Sequence, residues 1–432
     1  MKDVYGNSML NIAAAAAAES SEPSFQSRDP YFIYPPRFDA QWQQDEDAQP
    51  GTAFNTSYYI VDEDIFEKDV QSSPLYQRAW VMQEVWLARR NLNLTANQLW
   101  WQCSELTACE SYPHGLPSPW AGIAGRMRAL NPSDDREVMY QAWLKLAERY
   151  SNCLLTYPSD RIIAYAGIVQ HFQRLLPHDD KYIAGMWRSQ LPWSLVWSTH
   201  KTRPCYRPDG YRAPSWAWMS VEGPVLLESK PPALAESDTL MTPCTVIDVT
   251  VETDDGTNGT GTIIGGYIRI KAPLTRVGVL DDSLSLETSP GEWEYIPGTD
   301  EGVGQPYRRD TWTAADFDES TPDGDPALSF LEPITETTLA RNCHDMQTIP
   351  RVRQSFETNS DPCTTGHDYH LFALPIMKWA QAGKPFCEGS ILLSKPGWPI
   401  HIYQKVGAFT ASGDIAIGAL ERRREEHVIT IL

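Results

Sequence analysis

The sequence lacks the short motifs that mark several common enzyme classes. No GxSxG segment occurs, which argues against a serine hydrolase of the α/β type. There is also no GK[ST] loop, and no GxGxxG segment between a strand and a helix. The glycine-rich stretch at 256–266 therefore predicts a hairpin turn and not a nucleotide-binding loop. A Cys/His nucleophile pair stays open, although no spacing in the sequence supports one.

Basic residues are scarce relative to acidic ones. Lys and Arg total 36 against 56 Asp and Glu, which gives a net charge of -20. Because a nucleic-acid binder needs a basic face, we expect no nucleic-acid partner. No apolar run approaches the roughly 18 residues that cross a bilayer, so we expect no membrane span. The N-terminus is a poor signal peptide, since Asp3 cancels Lys2 and Asn11 interrupts the apolar run. These features favour a cytoplasmic protein.

Closely spaced metal-binding pairs of Cys and His are also few. The 8 cysteines are scattered and form no CxxC, which fits reduced thiols in the cytosol. One stretch does crowd Cys343, His344, Cys363, His367 and His370 together. Zinc ligands usually come in tight pairs such as CxxC or HxxxH, and this stretch is acidic and loop-rich. We therefore expect no metal site and no required cofactor.

The composition is that of a globular chain with three regions of different pattern. Hydrophobic residues make up 42% of the 432 positions, enough for a substantial core. Residues 1–112 mix helices with short strands, 113–210 are helical, and 211–432 are β-rich. Within the last region, 281–365 are acidic and proline-bearing and are predicted to be largely irregular. The predicted fold class is α+β or α/β.

Several elements follow from periodicity. Residues 1–8 fit the end of an amphipathic helix, and a strand pair is predicted at 92–103. Three helices are predicted in the helical region, at 118–130, 134–150 and 159–176, where apolar residues recur at helical spacing.

The stretch "PLYQRAWVMQEVWLARRNL" contains a carboxylate in an apolar setting. A serine at 72 or 73 can cap a helix there, and Pro74 suits the first helical position. At helical spacing, Trp80 and Leu87 flank Glu84. Glu84 is therefore either a buried structural carboxylate, bonded to an arginine or to backbone N–H groups, or a catalytic one whose pKa its apolar neighbours raise.

The segment "APSWAWMS" contains two closely spaced tryptophans. In an extended chain, Trp216 and Trp218 lie on the same face of a strand. Stacking on a sugar or a base is one interpretation, and an aromatic ladder within the core is the favoured one.

These segments also carry a family resemblance. The stretch "SPLYQRAWVMQEVWLARRNLNLTANQLWWQCSELTACESYPHG" resembles the closing part of the fungal heterokaryon incompatibility (HET) domain. In that family a "W..RAW..QE" helix is followed by a strand and a "W.C" segment. The N-terminal "MKDVYGNSMLNIAAAAAAE" and the later "YRAPSWAWMSVEGPV" are similar to other regions of these proteins. We interpret residues 1–112 as the C-terminal part of a HET domain.

The resemblance has a gap at its start. The family's domain opens with an "ALSY.WG" strand and a "D..CI.Q" motif, and neither occurs in this chain. We therefore expect the N-terminal part of the domain to be lacking, through a truncated gene model, an alternative start or real degeneration. Because the opening strands would carry part of the substrate pocket, the resemblance implies an incomplete active site.

HET domains are in turn similar to TIR domains, a flavodoxin-like α/β class of which some members cleave NAD with a glutamate on a helix. Glu84 occupies the matching position, so the resemblance makes it the candidate catalytic residue, with Trp80 in support and NAD as the substrate. The implied function is non-self recognition and incompatibility cell death in a fungus, through protein partners. The alternative is a catalytically inactive interaction protein derived from a truncated HET protein.

Overall fold

The computed structural model describes residues 2–25, 27–28, 33–34, 37–42, 54–59, 62, 64–116, 130, 132–200, 203, 205–208, 210–227, 241–256, 260–280, 283–289, 292–296, 307–309, 370–381, 384–394, 401–412, 420 and 426–432. Contacts divide the chain into two units. The N-terminal unit comprises Met1–Asp135 and Cys153–Leu155, and the C-terminal unit comprises Arg136–Asn152 and Thr156–Leu432. The three regions read from the sequence stay a prediction.

The N-terminal unit is built around a small mixed sheet. Its elements are α1 (Lys2–Gly6), β1 (Asn11–Ala13), β2 (Arg37–Trp42), β3 (Phe54–Tyr59), α2 (Ala79–Leu87), β4 (Arg90–Leu94), β5 (Leu99–Cys103) and β6 (Thr107–Cys109). The sheet order is β1-β4-β5-β6, and β2 and β3 form a separate antiparallel pair. β1 and β4 are parallel, whereas the β4–β5 and β5–β6 pairs are antiparallel. The predicted N-terminal helix and the predicted strand pair are both confirmed.

The helix predicted to run from Pro74 is interrupted, which corrects the sequence analysis. Pro74–Gln77 form a 3-10 turn, Arg78 is extended, and α2 begins at Ala79. The cause is a backbone contact that the local sequence does not show. The amide of Leu154 donates to the carbonyl of Gln77 at 2.6 Å, and the amide of Ala79 donates to the carbonyl of Leu154 at 3.0 Å. The interruption therefore satisfies backbone groups that a continuous helix would pair internally.

The core of this unit is one cluster of mostly apolar side chains. Its buried members are Ala15, Phe66, Val70, Tyr76, Val81, Trp100, Cys109 and Leu116. Phe66 meets Trp100 edge-to-face, with ring centroids 5.2 Å apart. Such a pair contributes about 1 kcal/mol beyond its buried area. The contact fixes the segment that leads into α2 against β5.

The C-terminal unit has two long helices, α3 (Arg136–Ser151) and α4 (Arg161–Leu175), which confirm two of the three predicted helices. The third, predicted at 118–130, lies almost wholly outside the described residues. Trp143 on α3 is buried at the centre of an aromatic cluster. Its ring lies 5.2 to 5.9 Å from the rings of Tyr165, Phe172, Tyr182 and Trp187.

The β-rich part forms one large sheet and two hairpin-like pairs. Its strands are β7 (Tyr182–Ile183), β8 (Met186–Trp187), β9 (Trp197–Thr199), β10 (Val225–Leu227), β11 (Thr245–Thr253), β12 (Ile263–Pro273), β13 (Thr275–Leu280), β14 (Ser283–Ser289), β15 (Glu292–Ile296), β16 (Tyr307–Arg309), β17 (His370–Gln381), β18 (Lys384–Ser394), β19 (Ile402–Ser412) and β20 (Glu426–Ile431). The sheet follows β11-β12-β20-β19-β18-β17-β13-β14-β15, with β16 on β19. β11 and β12 pair antiparallel across the glycine-rich stretch, as the predicted hairpin requires. Helices and mainly antiparallel sheets occur together, so the fold class is α+β.

The prediction that 281–365 are largely irregular is wrong for the start of that range. Ser283–Ser289 and Glu292–Ile296 are strands β14 and β15, which pair with each other and extend the sheet beyond β13. The sequences "SLSL" and "EWEYI" alternate at period two, and this local pattern prevails over the acidic composition. Residues 311–365 lie outside the described residues.

The "APSWAWMS" segment is core, as favoured, but it is not a strand. Trp216 and Trp218 are almost completely buried, and Trp218–Ser220 form a 3-10 turn. The Trp218 indole donates to the carbonyl of Gly185 at 2.8 Å, and the Trp197 indole donates to the carbonyl of Trp216 at 2.7 Å. Pro214 has no N–H group, so it cannot donate a backbone hydrogen bond to a neighbouring strand at this point. The two tryptophans therefore hold strands and turns together and present no stacking surface.

Ser215 in the same segment anchors the end of the chain. Its amide donates to the carbonyl of Leu432 at 2.9 Å, and its hydroxyl accepts from the amide of Lys405 at 3.0 Å. The buried Lys405 ammonium lies 3.7 Å from the Trp197 ring centroid and donates to the Trp197 carbonyl at 2.9 Å. A buried cation needs such partners, and here a ring face and a backbone oxygen supply them.

A largely buried ion cluster joins α4 to the segment before β10. The Glu222 carboxylate accepts from the guanidinium groups of Arg161 and Arg212. Burial acts to raise the pKa of Glu222, but the two guanidinium groups outweigh it and hold that pKa below its ordinary value of 4.5. The cluster therefore adds stability that is fully present above pH 4.5 and is lost as the pH falls through the lower pKa of the folded state.

Replacing Gly185 tests the packing of the β7–β8 turn. Gly185 has φ +101°, and a Cβ there would lie 2.6 Å from the Trp218 indole nitrogen. We expect Gly185→Ala to lower the free energy of unfolding by about 2 kcal/mol or more, because both the backbone and the packing resist it. Urea unfolding measures this. Gly210→Ala is the control, since a Cβ there meets nothing within 4 Å. Equal midpoints for the two variants would contradict the packing argument.

Replacing Glu222 tests the ion cluster. Glu222→Gln leaves two guanidinium groups without their counter-charge, so we expect a loss of about 3 kcal/mol at pH 7. Because the titrating group is gone, the variant loses less stability than the wild type between neutral pH and about pH 4. Urea unfolding at both pH values measures the difference. Glu137→Gln, on the exposed face of α3, is the control. An acid dependence unchanged from the wild type would remove Glu222 from this account.

Candidate functional site

Glu84 lies in the last turns of α2 and is half-buried. α2 is short because Arg78 is extended before it and Ala88 is extended after it. Trp80, one turn earlier, and Leu87, three residues later, are half-buried as well. The structure thus places Glu84 between these two apolar residues along the helix. The catalytic role of Glu84 and the supporting role of Trp80 stay predictions.

Tyr5, which the sequence analysis did not single out, lies on the helix that packs against Glu84's helix. α1 packs on α2. Burial, and after it the Glu84 carboxylate, raise the pKa of Tyr5 from 10.0 to about 12. The phenol therefore stays protonated at neutral pH. The structural interpretation of Glu84, bonded to an arginine or to backbone N–H groups, stays a prediction.

A polar contact holds the N-terminal segment near Glu84. Asn91 on β4 is completely buried. Its side-chain amide donates to the carbonyl of Val85 at 3.1 Å, and its oxygen accepts from the Asn11 side chain at 2.8 Å. β1, β4 and the end of α2 are therefore joined one residue away from Glu84. No spacing rule connects Asn11 with Asn91, so only the β1–β4 register shows this contact.

Asp69 is a second carboxylate of this unit that sequence reasoning missed. It is buried in the π-helical turn Glu67–Gln71. Its oxygens accept from the side chains of Asn97 at 2.6 Å, Gln98 at 3.1 Å and Trp100 at 3.0 Å. Three neutral donors satisfy the carboxylate, and they join the turn before α2 to the β4–β5 hairpin. This geometry is that of a structural carboxylate.

Three buried thiols of the described residues are poor nucleophiles. Burial raises the pKa of Cys109 to about 11 and that of Cys244 to about 12, so both are protonated at neutral pH. Burial raises the pKa of Cys387 further still. These cysteines are packed as small apolar residues. The crowded Cys343, His344, Cys363 and His367 lie outside the described residues.

The C-terminal unit has a small cavity with an aromatic lining. Tyr140, Trp143, Trp187 and Trp218 contribute to its wall together with Met186. Burial and a hydrogen bond to Asp180 raise the pKa of Tyr140 to about 12, so its hydroxyl is no acid or base at neutral pH. The cavity continues the aromatic core around Trp143.

Comparison with known proteins identifies the N-terminal region. Residues 1–84 match the family model described as heterokaryon incompatibility protein (HET). The match covers 84 of the 432 residues, so the N-terminal region is similar to part of a HET domain. The matched residues include Tyr5, Trp80 and Glu84. No curated protein and no solved structure matches the chain.

Every helix among the described residues is too short or too polar to cross a bilayer.

Replacing Asp69 tests its structural role. Asp69→Asn turns an amide N–H₂ group toward at least one donor, so we expect the free energy of unfolding to fall by about 2 kcal/mol. Urea unfolding, followed by tryptophan fluorescence, measures it. Glu67→Gln, at an exposed position of the same turn, is the control and stays within about 0.5 kcal/mol of the wild type. A stable Asp69→Asn protein would mean that the three hydrogen bonds contribute nothing to folding.

Proposed function

We propose that this protein acts in non-self recognition in a fungus and contributes to incompatibility cell death by cleaving NAD with Glu84. The single observation that carries the proposal is the HET match over residues 1–84, which includes Glu84. By the resemblance of HET domains to TIR domains, Glu84 corresponds to the glutamate with which some TIR domains act on NAD.

The reaction requires little of the protein besides a well-placed negative charge. The bond that breaks joins C1′ of the ribose to the nicotinamide nitrogen, and its electron pair leaves with nicotinamide. The ribose then has oxocarbenium character, which the ionised Glu84 carboxylate stabilises. Water adds to C1′ and releases a proton, so the products are nicotinamide, ADP-ribose and a proton. No metal or second cofactor enters this balance.

Trp80 supports the same site. It lies one turn before Glu84 on α2, and its indole is half-buried. A residue four positions away on a helix presents its side chain to the same side. A half-buried indole in that position can stack on the planar nicotinamide ring before it leaves. We propose that Trp80 holds the leaving group while Glu84 faces the ribose.

We propose protein partners, and not nucleic acid, as the trigger. The net charge of -20 repels phosphate backbones and favours partners with basic surfaces. The place of action that fits these properties is the cytoplasm.

Nicotinamide release by the full chain tests the proposed reaction. We expect the wild type to release nicotinamide from NAD and Glu84→Gln to release it at least about 100-fold more slowly, because an electrostatic stabiliser of the transition state is removed. Glu105→Gln is the matched control, since Glu105 is an exposed carboxylate of the same unit. Circular dichroism of all three proteins separates lost chemistry from lost folding.

The same assay judges the alternative function. Release that is equal in the wild type and in Glu84→Gln would remove Glu84 from the mechanism. Release by neither protein would favour a catalytically inactive interaction protein, in which Glu84 is a structural carboxylate.

A further inference from the structure

We infer that Asn91 is a positioning residue for Glu84: its side-chain amide holds the last turn of α2 on β4 and so fixes where the Glu84 carboxylate lies. The inference rests on the proposed function, because it assigns a task to a neighbour of the proposed catalytic group. Asn91 is completely buried, and its Nδ2 group donates to the carbonyl oxygen of Val85 at 3.1 Å. Val85 follows Glu84 directly in the chain.

The contact reaches a part of α2 that hydrogen bonds within the helix leave open. The last four carbonyl groups of an α-helix have no donor within the helix. α2 ends at Leu87, so Val85 carries one of these carbonyl groups. The Asn91 amide supplies a donor for it from a different element, the strand β4. The end of α2 is therefore bound to the sheet at the residue beside Glu84.

Asn91 can hold α2 in this way because its own amide group is fixed. The Oδ1 atom of Asn91 accepts from the Nδ2 group of Asn11 at 2.8 Å. An asparagine amide has one accepting and one donating end, so the contact with Asn11 turns the donating end toward Val85. Asn11 and Asn91 face each other in the register of β1 with β4. The direction of the Asn91 donor is therefore set by the sheet and not by α2.

A second asparagine of β4 provides a comparison within the same strand. Asn93 lies two residues further on, so its side chain is on the same face of the strand, and it is also completely buried. The Tyr76 hydroxyl donates to the Oδ1 atom of Asn93 at 2.6 Å. Tyr76 belongs to the 3-10 turn before α2, and the extended Arg78 separates that turn from the helix. Asn93 therefore anchors the approach to α2, whereas Asn91 anchors the helix where Glu84 lies.

The Asn91 contact affects the proposed chemistry through distance. A displacement of about 1 Å at a reacting group can lower a rate about 100-fold, and a carboxylate that stabilises an oxocarbenium-like ribose has to lie close to it. Glu84 lies near the end of a short helix, where the backbone opens most readily when a hydrogen bond is lost. Because Asn91 is completely buried, its effect passes through the backbone of α2 and not through contact with NAD.

Asn91→Ala tests the role, and Asn93→Ala is the matched control. Both variants remove a completely buried amide from the same face of β4, so both lower the free energy of unfolding. We expect Asn91→Ala to lower kcat for nicotinamide release by roughly tenfold or more, while KM for NAD changes less than about twofold. Asn93→Ala keeps kcat within about twofold of the wild type. The proteins are assayed below the temperature at which the least stable of them begins to unfold.

A milder variant decides the question if Asn91→Ala does not fold. Asn11→Ala removes only the group that turns the Asn91 amide toward Val85, and Asn11 is half-buried. We expect it to lower kcat by about threefold or more, with little change in KM. In that case, a kcat equal to that of the wild type in a folded Asn11→Ala protein overturns the positioning role.

Hydrogen–deuterium exchange reads the contact without using activity. Mass spectrometry follows the peptides that cover the end of α2, where the amide of Ala88 donates to the carbonyl of Glu84 at 3.2 Å. We expect these amides to exchange at least about tenfold faster in Asn91→Ala than in Asn93→Ala, because only the first variant frees the last turn. Equal exchange at this turn shows that Asn91 does not hold it, and it overturns the positioning role whatever the activity.

The outcomes separate the two proposals. An active wild type with an equally active, folded Asn91→Ala protein overturns the positioning role and leaves the proposed function standing. A kcat that falls equally in Asn91→Ala and Asn93→Ala also overturns it, because the loss then follows from general destabilisation. An inactive wild type overturns both proposals.

Discussion

The parallel pairing of β1 with β4 is the constraint on which the surroundings of Glu84 depend. It brings residues 11–13 beside 91–93, about eighty positions further along the chain. α1 precedes β1 and α2 precedes β4, so the pairing also brings the two helices together. The buried Asn91 makes the pairing specific, because a shift in register would leave its amide without Asn11 and the carbonyl of Val85. α1 packs on α2, the helix of Glu84, as a consequence of this register.

The two units use their polar groups differently. In the C-terminal unit, the buried charges of Arg161, Arg212, Glu222 and Lys405 are satisfied by one another, by backbone oxygens and by an indole face. Such groups stabilise the core and are not available for chemistry. In the N-terminal unit, Asp69 is likewise satisfied by three hydrogen bonds, whereas Glu84 is half-buried and lies beside Trp80 and Leu87 along α2. The half-buried carboxylate is therefore the better candidate for a role beyond folding.

The sequence predicts those features that depend on local pattern. Helical spacing identifies α3 and α4, and alternation identifies β11, β12 and the strands at the C-terminus. β14 and β15 were missed, because the acidic composition of 281–365 led to the prediction of irregular structure although both segments alternate at period two. The break at Arg78 could not be predicted, because its cause is a backbone contact with Leu154, far along the chain. A local pattern cannot report a hydrogen bond made by a distant segment.

The same limit applies to the candidate site. The motif around Trp80 and Glu84 could be recognised, and the family match includes it. The packing of α1 on α2 could not be predicted, since the β1–β4 register brings these two helices together. The Asp69 contacts likewise span about thirty residues with no repeating interval. Polar networks of this kind follow from tertiary structure and not from spacing.

The claim that Glu84 faces NAD is tested most directly by saturation-transfer NMR of NAD in the presence of the full chain. Saturation passes from the protein to those ligand protons that contact it. The account predicts strong transfer to the nicotinamide-ribose protons in the wild type, and weaker transfer to these protons relative to the adenine protons in Glu84→Gln. Transfer confined to the adenine end, an identical pattern in both proteins, or no transfer at all would contradict it.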